Sequence, residues 1–171
     1  MADSDYTICR VAVARTLALR KAVLRPHLSA DEAYLPPDAT AASTIAYAAV
    51  NALDVVIGAA VITPDEPPFG TTDGRAWRLR GMAVAPEHRN RGVGRAVLDA
   101  FIAHVAGLGG GILWCNARLA ARGLYERAGM SAWGEIFEEP LIGPHVVMWR
   151  SVEGLTLGEP VAGAQQPGEQ A

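Results

Sequence analysis

The sequence predicts an α+β fold in three layers, with a mixed, mostly antiparallel central sheet flanked by helices. Apolar, β-branched segments separated by turn residues predict strands, and three segments with helical spacing lie between them. The predicted order, β-α-β-β-β-α-β-α-β-β, is that of a mixed sheet flanked by helices. With 171 residues, 50% of them hydrophobic, the chain suits one domain with a buried core.

The first half of the chain begins with a predicted strand over residues 6–14 and a helix over 15–25, which a proline ends. Prolines and small polar residues predict a loop over 27–43, with at most a short helical turn. Residues 44–50 and 54–62 are apolar and β-branched, and they predict an antiparallel hairpin.

The middle of the chain holds the longest predicted helix. A loop rich in proline and glycine, 63–74, leads to a predicted strand over 76–84. Apolar residues at steps of three and four then make 92–108 one amphipathic helix, which three glycines end. A short buried strand, 112–115, precedes a third helix that Asn116 is predicted to cap.

The last part of the chain is predicted to complete the sheet and then to lose structure. Strands over 131–138 and 145–150 are joined by a turn that contains two prolines. One domain is therefore predicted over 6–150. The tail, 151–171, has few apolar anchors among its glycine, glutamate, glutamine, alanine and proline residues, which predicts disorder.

Net charge, apolar runs and cysteine content argue against several classes of protein. A net charge of −3 does not favour nucleic-acid binding. No apolar run reaches the ~18–20 residues of a membrane helix, and the acidic N-terminus is unlike a signal peptide. Cys9 and Cys115 are too few for a disulfide framework or a cysteine-built zinc site, so we expect no metal and a cytoplasmic location. An amino-acid composition rich in alanine and arginine is typical of proteins from a high-GC bacterium.

The sharpest motif is a glycine loop between the strand at 76–84 and the helix that follows. Glycines at a helix start leave unpaired backbone N–H groups close to any ligand, and the helix dipole adds positive charge. Arginines add further charge, so the loop suits a pyrophosphate. The predicted anion-binding residues are Arg89, Asn90, Arg91, Gly92, Val93, Gly94 and Arg95.

Two common phosphate-binding motifs do not match this loop. The nucleotide P-loop needs Lys and Ser or Thr after its last glycine, where this chain has Arg95 and Ala96. The dinucleotide fingerprint fails because Val97 replaces its third glycine. It also fails because Asn116 stands where an acidic residue is expected at the end of the next strand.

The residues themselves resemble a known family. Arg89-x-x-Gly92-x-Gly94 resembles the R/Q-x-x-G-x-G/A acetyl-CoA signature of the GNAT superfamily of N-acetyltransferases, and residues 81–89 resemble its approach strand. The segment from Asn116 through Tyr125 to Met130 resembles its second signature. The resemblance is dense over 77–139, fits the element order over 6–150 and is weak before residue 70.

This resemblance implies an acetyl-CoA-dependent N-acetyltransferase with a GNAT-like acyl-CoA N-acyltransferase fold. The strand carrying Met82, Ala83 and Val84 would splay from its neighbour and offer backbone groups to the pantetheine arm, one of its N–H groups serving as oxyanion donor. Asn116 would contact the cofactor. The acceptor would be a primary amine of a small molecule or a peptide, and a homodimer is common in such families.

Acetyl transfer to an amine benefits from a proton donor for the departing thiolate and a base for the amine. By resemblance, Tyr125 is the proton donor. A phenol with a reference pKa of ~10 is protonated at neutral pH and able to donate. Packing against the sheet is the alternative explanation of a tyrosine on this helix, and the position in the motif favours the catalytic role.

The base is less clear, because Arg78, Leu79 and Arg80 occupy the strand where many relatives carry a glutamate. His145 and Glu138 are the catalytic candidates retained, with Glu135 and Glu139 as further carboxylates. A histidine's reference pKa of ~6.5 suits proton removal, but His145 could equally pack a strand end. Arg78 and Arg80 share a strand face and are expected to be solvated or salt-bridged.

Two other classes of function compete with catalysis. A catalytically weak or inactive acyl-CoA-binding module would keep the fold, and the missing strand glutamate favours it slightly, whereas Tyr125 argues against it. A nucleic-acid-binding protein could use the arginine loop, but the acidic net charge and the lack of a basic, aromatic groove weigh against that class.

Overall fold

The computed structural model describes residues 5–27, 42–71 and 73–155. The strands are β1 (Tyr6–Val11), β2 (Ile45–Asn51), β3 (Val56–Pro64), β4 (Ala76–Val84), β5 (Gly110–Arg118), β6 (Ser131–Glu139) and β7 (Gly143–Glu153). The helices are α1 (Leu17–Leu24), α2 (Val93–Gly107) and α3 (Arg122–Arg127), with 3-10 turns at Val13–Thr16, Pro86–His88 and Leu119–Ala121.

The seven strands form one sheet in the order β1-β2-β3-β4-β5-β7-β6. All neighbours are antiparallel except β4 and β5, which are parallel and joined through α2. The parallel pair follows from the crossover that α2 makes, since parallel strands need a long connection. The predicted mixed, mostly antiparallel sheet is therefore confirmed.

Helices cover the sheet on both faces, which confirms the three-layer prediction. Successive strand residues point to opposite faces, as β3 shows. Ala59 belongs to a small cluster that Leu19 of α1 contacts, whereas Ala60 belongs to the main core with Phe101 of α2 and Leu124 of α3. We call these the α1 face and the α2 face.

The sheet opens between its two parallel strands. β4 pairs with β5 only from Ala76–Ile112 to Arg78–Trp114, although β4 continues to Val84 and β5 to Arg118. A bulge at Gly81, with φ +61°, bends β4 just beyond the last pair. The two strands therefore diverge, which confirms the predicted splay, and the opening joins the two faces of the sheet.

Asn116 does not cap a helix, contrary to the prediction. It lies inside β5, opposite Val147 of β7, and β5 pairs with β7 along its whole length. Continuous strand pairing outweighs the local capping preference, so α3 begins only at Arg122, after a 3-10 turn. The first predicted strand also ends early, because Val13–Thr16 form a 3-10 turn.

The predicted tail from 151 starts inside the sheet. β7 extends to Glu153, which pairs with Gly110, and the Leu155 N–H donates to Ala106 O at 3.0 Å. The rest of the tail, 156–171, and most of the predicted loop, 28–41, lie outside the described residues.

No described helix is long and apolar enough to cross a membrane. The described side chains also form no metal-binding group of three or more His, Cys, Asp or Glu residues.

Candidate active site

The loop between β4 and α2 has the geometry of an anion cradle. Asn90 and Gly92 are both left-handed, with φ +59° and +83°. Since α2 begins at Val93, the N–H groups of Val93, Gly94 and Arg95 have no acceptor within the helix. An added Cβ at Gly92 would meet no atom within 4 Å, so the space in front of these donors is open. This arrangement suits a phosphate group.

Two of the loop's arginines donate hydrogen bonds to backbone carbonyls, and a third is exposed to solvent. Arg89 Nε donates to Val84 O at 3.3 Å, and Arg95 Nη1 donates to Arg127 O at 2.7 Å. These bonds tie the loop to β4 and α2 to α3. The Arg91 side chain is exposed at the rim, where it can contact an anion without losing a described partner.

A cavity of about 310 Å³ occupies the opening between β4 and β5. Beside it, Ala83 and Val84 pair with β3 but not with β5, so the other edge of β4 is free to pair with an extended ligand. Met82 lies on the cavity wall. The other wall residues are Arg20, Leu24, Arg25, Arg78, Leu79, Arg80, Gly81, Cys115, Asn116, Arg118, Ala121, Tyr125, Glu139, Ile142 and His145.

Tyr125 reaches the cavity from the α2 face, with 5% of its surface exposed. Its side chain lies beside the buried Cys115 thiol. Burial, followed by the neighbouring Cys115, raises the pKa of Tyr125 well above its usual value, so the phenol keeps its proton. Burial raises the pKa of Cys115 to about 12, which makes it an unreactive thiol, as expected for a core residue.

His145 reaches the same cavity from the α1 face and is 6% exposed. Its Nδ1 lies 2.8 Å from Gly143 O. A carbonyl oxygen can only accept, so Nδ1 carries a proton, and in the neutral form of the ring the lone pair lies on Nε2. Phe137 stacks on the ring with centroids 5.9 Å apart and fixes its orientation. This orientation leaves Nε2 as the ring nitrogen that can accept a hydrogen bond.

The carboxylate candidates on β6 differ in whether they lie on the cavity wall. Glu138 is exposed and does not lie on the cavity wall, whereas its neighbour Glu139 does. Because successive strand residues point to opposite sides, only one of the two can face the cavity. Asn116 also lies on the wall, on the α1 face. The structure thus brings Tyr125, His145, Asn116 and Glu139 to one cavity.

The arginine pair on β4 is salt-bridged, as the sequence suggested. Arg78 Nη1 and Arg80 Nη2 lie 3.5 Å and 3.1 Å from Asp65 Oδ2. Sequence reasoning missed three other arginines of the wall, namely Arg20, Arg25 and Arg118. A buried arginine gives no local signal, since only the packing of α1 against β4 brings Arg20 to the cavity.

These features fit the predicted cofactor. The cradle supplies donors for a pyrophosphate, and the free edge of β4 can receive an extended amide-bearing arm. At Gly94 an added Cβ would make ordinary van der Waals contact, 3.4 Å from Val84 and 3.5 Å from Leu124, so the packing of α2 against β4 and α3 does not itself require this glycine. The two parts lie at the same end of the opening, as one elongated ligand requires.

Comparison with known proteins decides the family. Residues 11–130 match the Acetyltransferase (GNAT) family. The chain belongs to the GNAT acetyltransferase family. It is 31% identical to the uncharacterized N-acetyltransferase YitI of Bacillus subtilis over 142 residues, which cover 83% of this chain and 93% of YitI. The protein is thus an acetyl-CoA-dependent N-acetyltransferase, as the loop motif implied.

Solved structures share the GNAT fold at low identity. A Lactobacillus plantarum protein proposed to be an N-acetyltransferase superposes with a TM-score of 0.69 at 22% identity, covering 87% of this chain and 99% of that one. An aminoglycoside 6'-N-acetyltransferase in complex with coenzyme A gives a TM-score of 0.66 at 14% identity, covering 88% and 99%. These likenesses confirm the predicted fold.

Proposed function

We propose that this GNAT protein transfers an acetyl group from acetyl-CoA to the primary amine of a small molecule or peptide, by direct attack of the amine. The observation that carries the proposal is the cavity through the sheet, which has Tyr125 on the α2 face and His145 on the α1 face. A donor that keeps its proton and an acceptor with a free lone pair thus flank one space.

Each residue has a defined part in this reaction. Nε2 of His145 accepts a proton from the acceptor ammonium, directly or through one water, so that a neutral amine forms the new C–N bond. Tyr125 gives its proton to the sulfur as the C–S bond breaks, and the second proton, which the nitrogen loses as the amide forms, restores the Tyr125 hydroxyl. The products are the amide, the CoA thiol and the proton held by His145. The free edge of β4 at Met82, Ala83 and Val84 offers a backbone N–H to the carbonyl oxygen, Asn116 contacts the cofactor, and the loop 89–95 binds its pyrophosphate.

Direct attack is favoured over an acetyl-cysteine intermediate. Cys115 is the cysteine on the cavity wall, and its raised pKa and 2% exposure leave it without thiolate character. Intact-protein mass spectrometry after incubation with acetyl-CoA alone should show no acetyl adduct. An adduct that a Cys115→Ala variant lacks would contradict direct attack.

The central experiment is a panel of amines with acetyl-CoA, followed by release of free thiol and by the mass of the acetylated product. We expect thiol release that depends on the amine and equals product formed. Acetyl-CoA that raises the melting temperature without any acetylated product would instead indicate the alternative, an acyl-CoA-binding module without turnover. Cytoplasmic location and a homodimer stay predictions.

A further inference from the structure

The α1 face of the cavity is lined by arginines from separate parts of the chain. Arg20 and Arg25 come from α1 and the residue after it, and Arg118 ends β5. Lys21 is the single lysine among 15 basic residues, so positive charge in this protein is carried by forked guanidinium groups. Such groups match carboxylate and phosphate oxygens in two-pronged fashion.

Arg20 is the most deeply buried of these side chains, with 1% of its surface exposed. Nε donates to Gly81 O at 3.2 Å and Nη1 to Thr16 Oγ1 at 3.5 Å. Neither partner is charged, and the described residues give it no ion pair. Burial lowers the pKa of Arg20 to about 10, which still leaves it cationic at neutral pH. A buried cation without a counter-charge is unfavourable unless a ligand supplies one.

Arg118 and Arg25 bring two further positive charges to the same wall. Arg118 Nη2 donates to Leu24 O at 2.9 Å, which holds the guanidinium beside the end of α1. Burial lowers the pKa of Arg118, and the positive charge of Arg25 lowers it further. Neither residue forms an ion pair among the described residues, so like charges are held together.

The other charges of the wall do not offset these three. The described carboxylate Asp65 is already shared by Arg78 and Arg80. Glu139 is the carboxylate on the wall itself, and no described hydrogen bond or ion pair joins it to Arg20, Arg25 or Arg118. Among the described residues, the positive charge without a counter-charge therefore lies on the proposed acceptor side of the cavity, and not at the loop proposed to bind the pyrophosphate.

We propose that Arg20, Arg25 and Arg118 bind an anionic group, a carboxylate or a phosphate, on the amine that is acetylated. The inference rests on the proposed function and names its substrate class: a small amine that carries an oxyanion, such as an amino acid or an aminoalkyl phosphate. A cavity of about 310 Å³ is at the small end of ligand sites, which suits such a molecule.

The test uses matched amines that differ only in the anion. L-Phenylalanine is compared with L-phenylalaninamide, and phosphoethanolamine with ethanolamine. Binding is measured by calorimetry with the full-length protein saturated with CoA, and turnover is measured separately with acetyl-CoA. We expect the anionic member of at least one pair to bind at least about tenfold more tightly, and the pair that shows this identifies carboxylate or phosphate.

Substitutions of single arginines test which side chains cause the preference for the anionic amine. Arg25→Gln and Arg118→Gln should each reduce the preference for the anionic amine about tenfold and leave binding of its neutral partner unchanged. Arg25→Lys should retain part of the preference. Arg15→Gln is the matched control, since Arg15 pairs with the exposed Asp54 and is not on the cavity wall.

Two results would overturn the inference: neutral amines that bind as tightly as their anionic partners, or a preference that survives both Arg25→Gln and Arg118→Gln. Failure of the proposed function has a different signature. If anion-dependent binding is lost in these variants but no amine is acetylated by the wild-type protein, the anion site stands and the transfer reaction does not.

Discussion

The two ends of the cavity are built in different ways. The proposed cofactor side consists of the loop 89–95, the free edge of β4 and Tyr125, and most of it lies in one short stretch of chain. The proposed acceptor side draws Arg20 and Arg25, Arg118, Glu139 and His145 from segments far apart in sequence. The first is a local motif, whereas the second exists only when α1, β5, β6 and β7 come together.

This difference has a functional consequence. The proposed cofactor side uses backbone N–H groups and glycines, which bind the parts that every acetyl-CoA molecule has in common. The acceptor side uses charged side chains on separate elements, and each can be replaced without disturbing the loop. Cofactor binding and acceptor specificity can therefore be altered independently, and variants on one side should leave ligand binding on the other side intact.

The largest expected effect is on the cofactor side, at Gly92. Gly92→Glu places a carboxylate where the pyrophosphate is expected, so we predict that CoA affinity falls by at least ~100-fold through charge repulsion at the helix start. The melting-temperature increase produced by acetyl-CoA should disappear with it. Calorimetry and thermal denaturation measure both quantities.

Gly92→Ala is the control for this variant. It imposes the same left-handed strain at φ +83° but adds a methyl group that meets no atom within 4 Å. It should retain most CoA binding. If Gly92→Glu still binds CoA as the wild type does, the loop is not the pyrophosphate site and the comparison between the two sides fails.

The next effect concerns the proton donor, where the two sides meet. Tyr125→Phe keeps the ring and removes the hydroxyl, so kcat should fall about ten- to a thousandfold while CoA affinity changes little. Since burial raises the pKa of Tyr125, the wild-type enzyme should lose no activity through its ionisation at neutral or mildly alkaline pH. Unchanged turnover in Tyr125→Phe, with chemistry rate-limiting, would leave this tyrosine a packing residue.

A smaller effect is expected at His145, on the acceptor side. His145→Gln removes the proposed proton acceptor from the cavity wall. The variant should lower kcat/KM about ten- to a hundredfold without weakening CoA binding, as measured by steady-state kinetics and by calorimetry.

Two carboxylate variants sharpen this assignment. Glu138→Gln, at an exposed position, should behave as the wild type, and Glu139→Gln tests the carboxylate on the wall. Activity that survives in His145→Gln and is lost in Glu138→Gln would make Glu138 the base. The same result in Glu139→Gln would transfer the role to Glu139.

The smallest effect is on stability, at the bulge that separates β4 from β5. Gly81 has φ +61°, and an added Cβ would overlap the Arg20 guanidinium. Gly81→Ala should therefore lower the free energy of unfolding by about 1–3 kcal/mol, measured by urea denaturation. Gly92→Ala, which meets open space, should cost only about 1 kcal/mol of backbone strain. Equal losses would show that Arg20 does not press on the bulge.

Sequence reasoning identified what is encoded locally. The positions of the strands and of α2 follow from apolar spacing and turn residues, and the loop 89–95 follows from glycines at a helix start. It placed Asn116 wrongly as a helix cap, because an asparagine's local preference says nothing about the partner strand β7 that holds it in β5. Strand pairing is a long-range interaction, so the local conformational preference of a residue does not predict it.

The amino-acid sequence by itself therefore determined the fold class, and it supplied the predictions of the cofactor loop and of Tyr125 as proton donor, since each depends on residues close together in the chain. Only the tertiary structure decided which side chains share the cavity. It placed Glu139 rather than Glu138 on the wall, turned His145 toward it from β7, and buried Arg20 beneath Gly81. The physical reason is that burial and charge proximity are set by packing between distant segments, which no local pattern records.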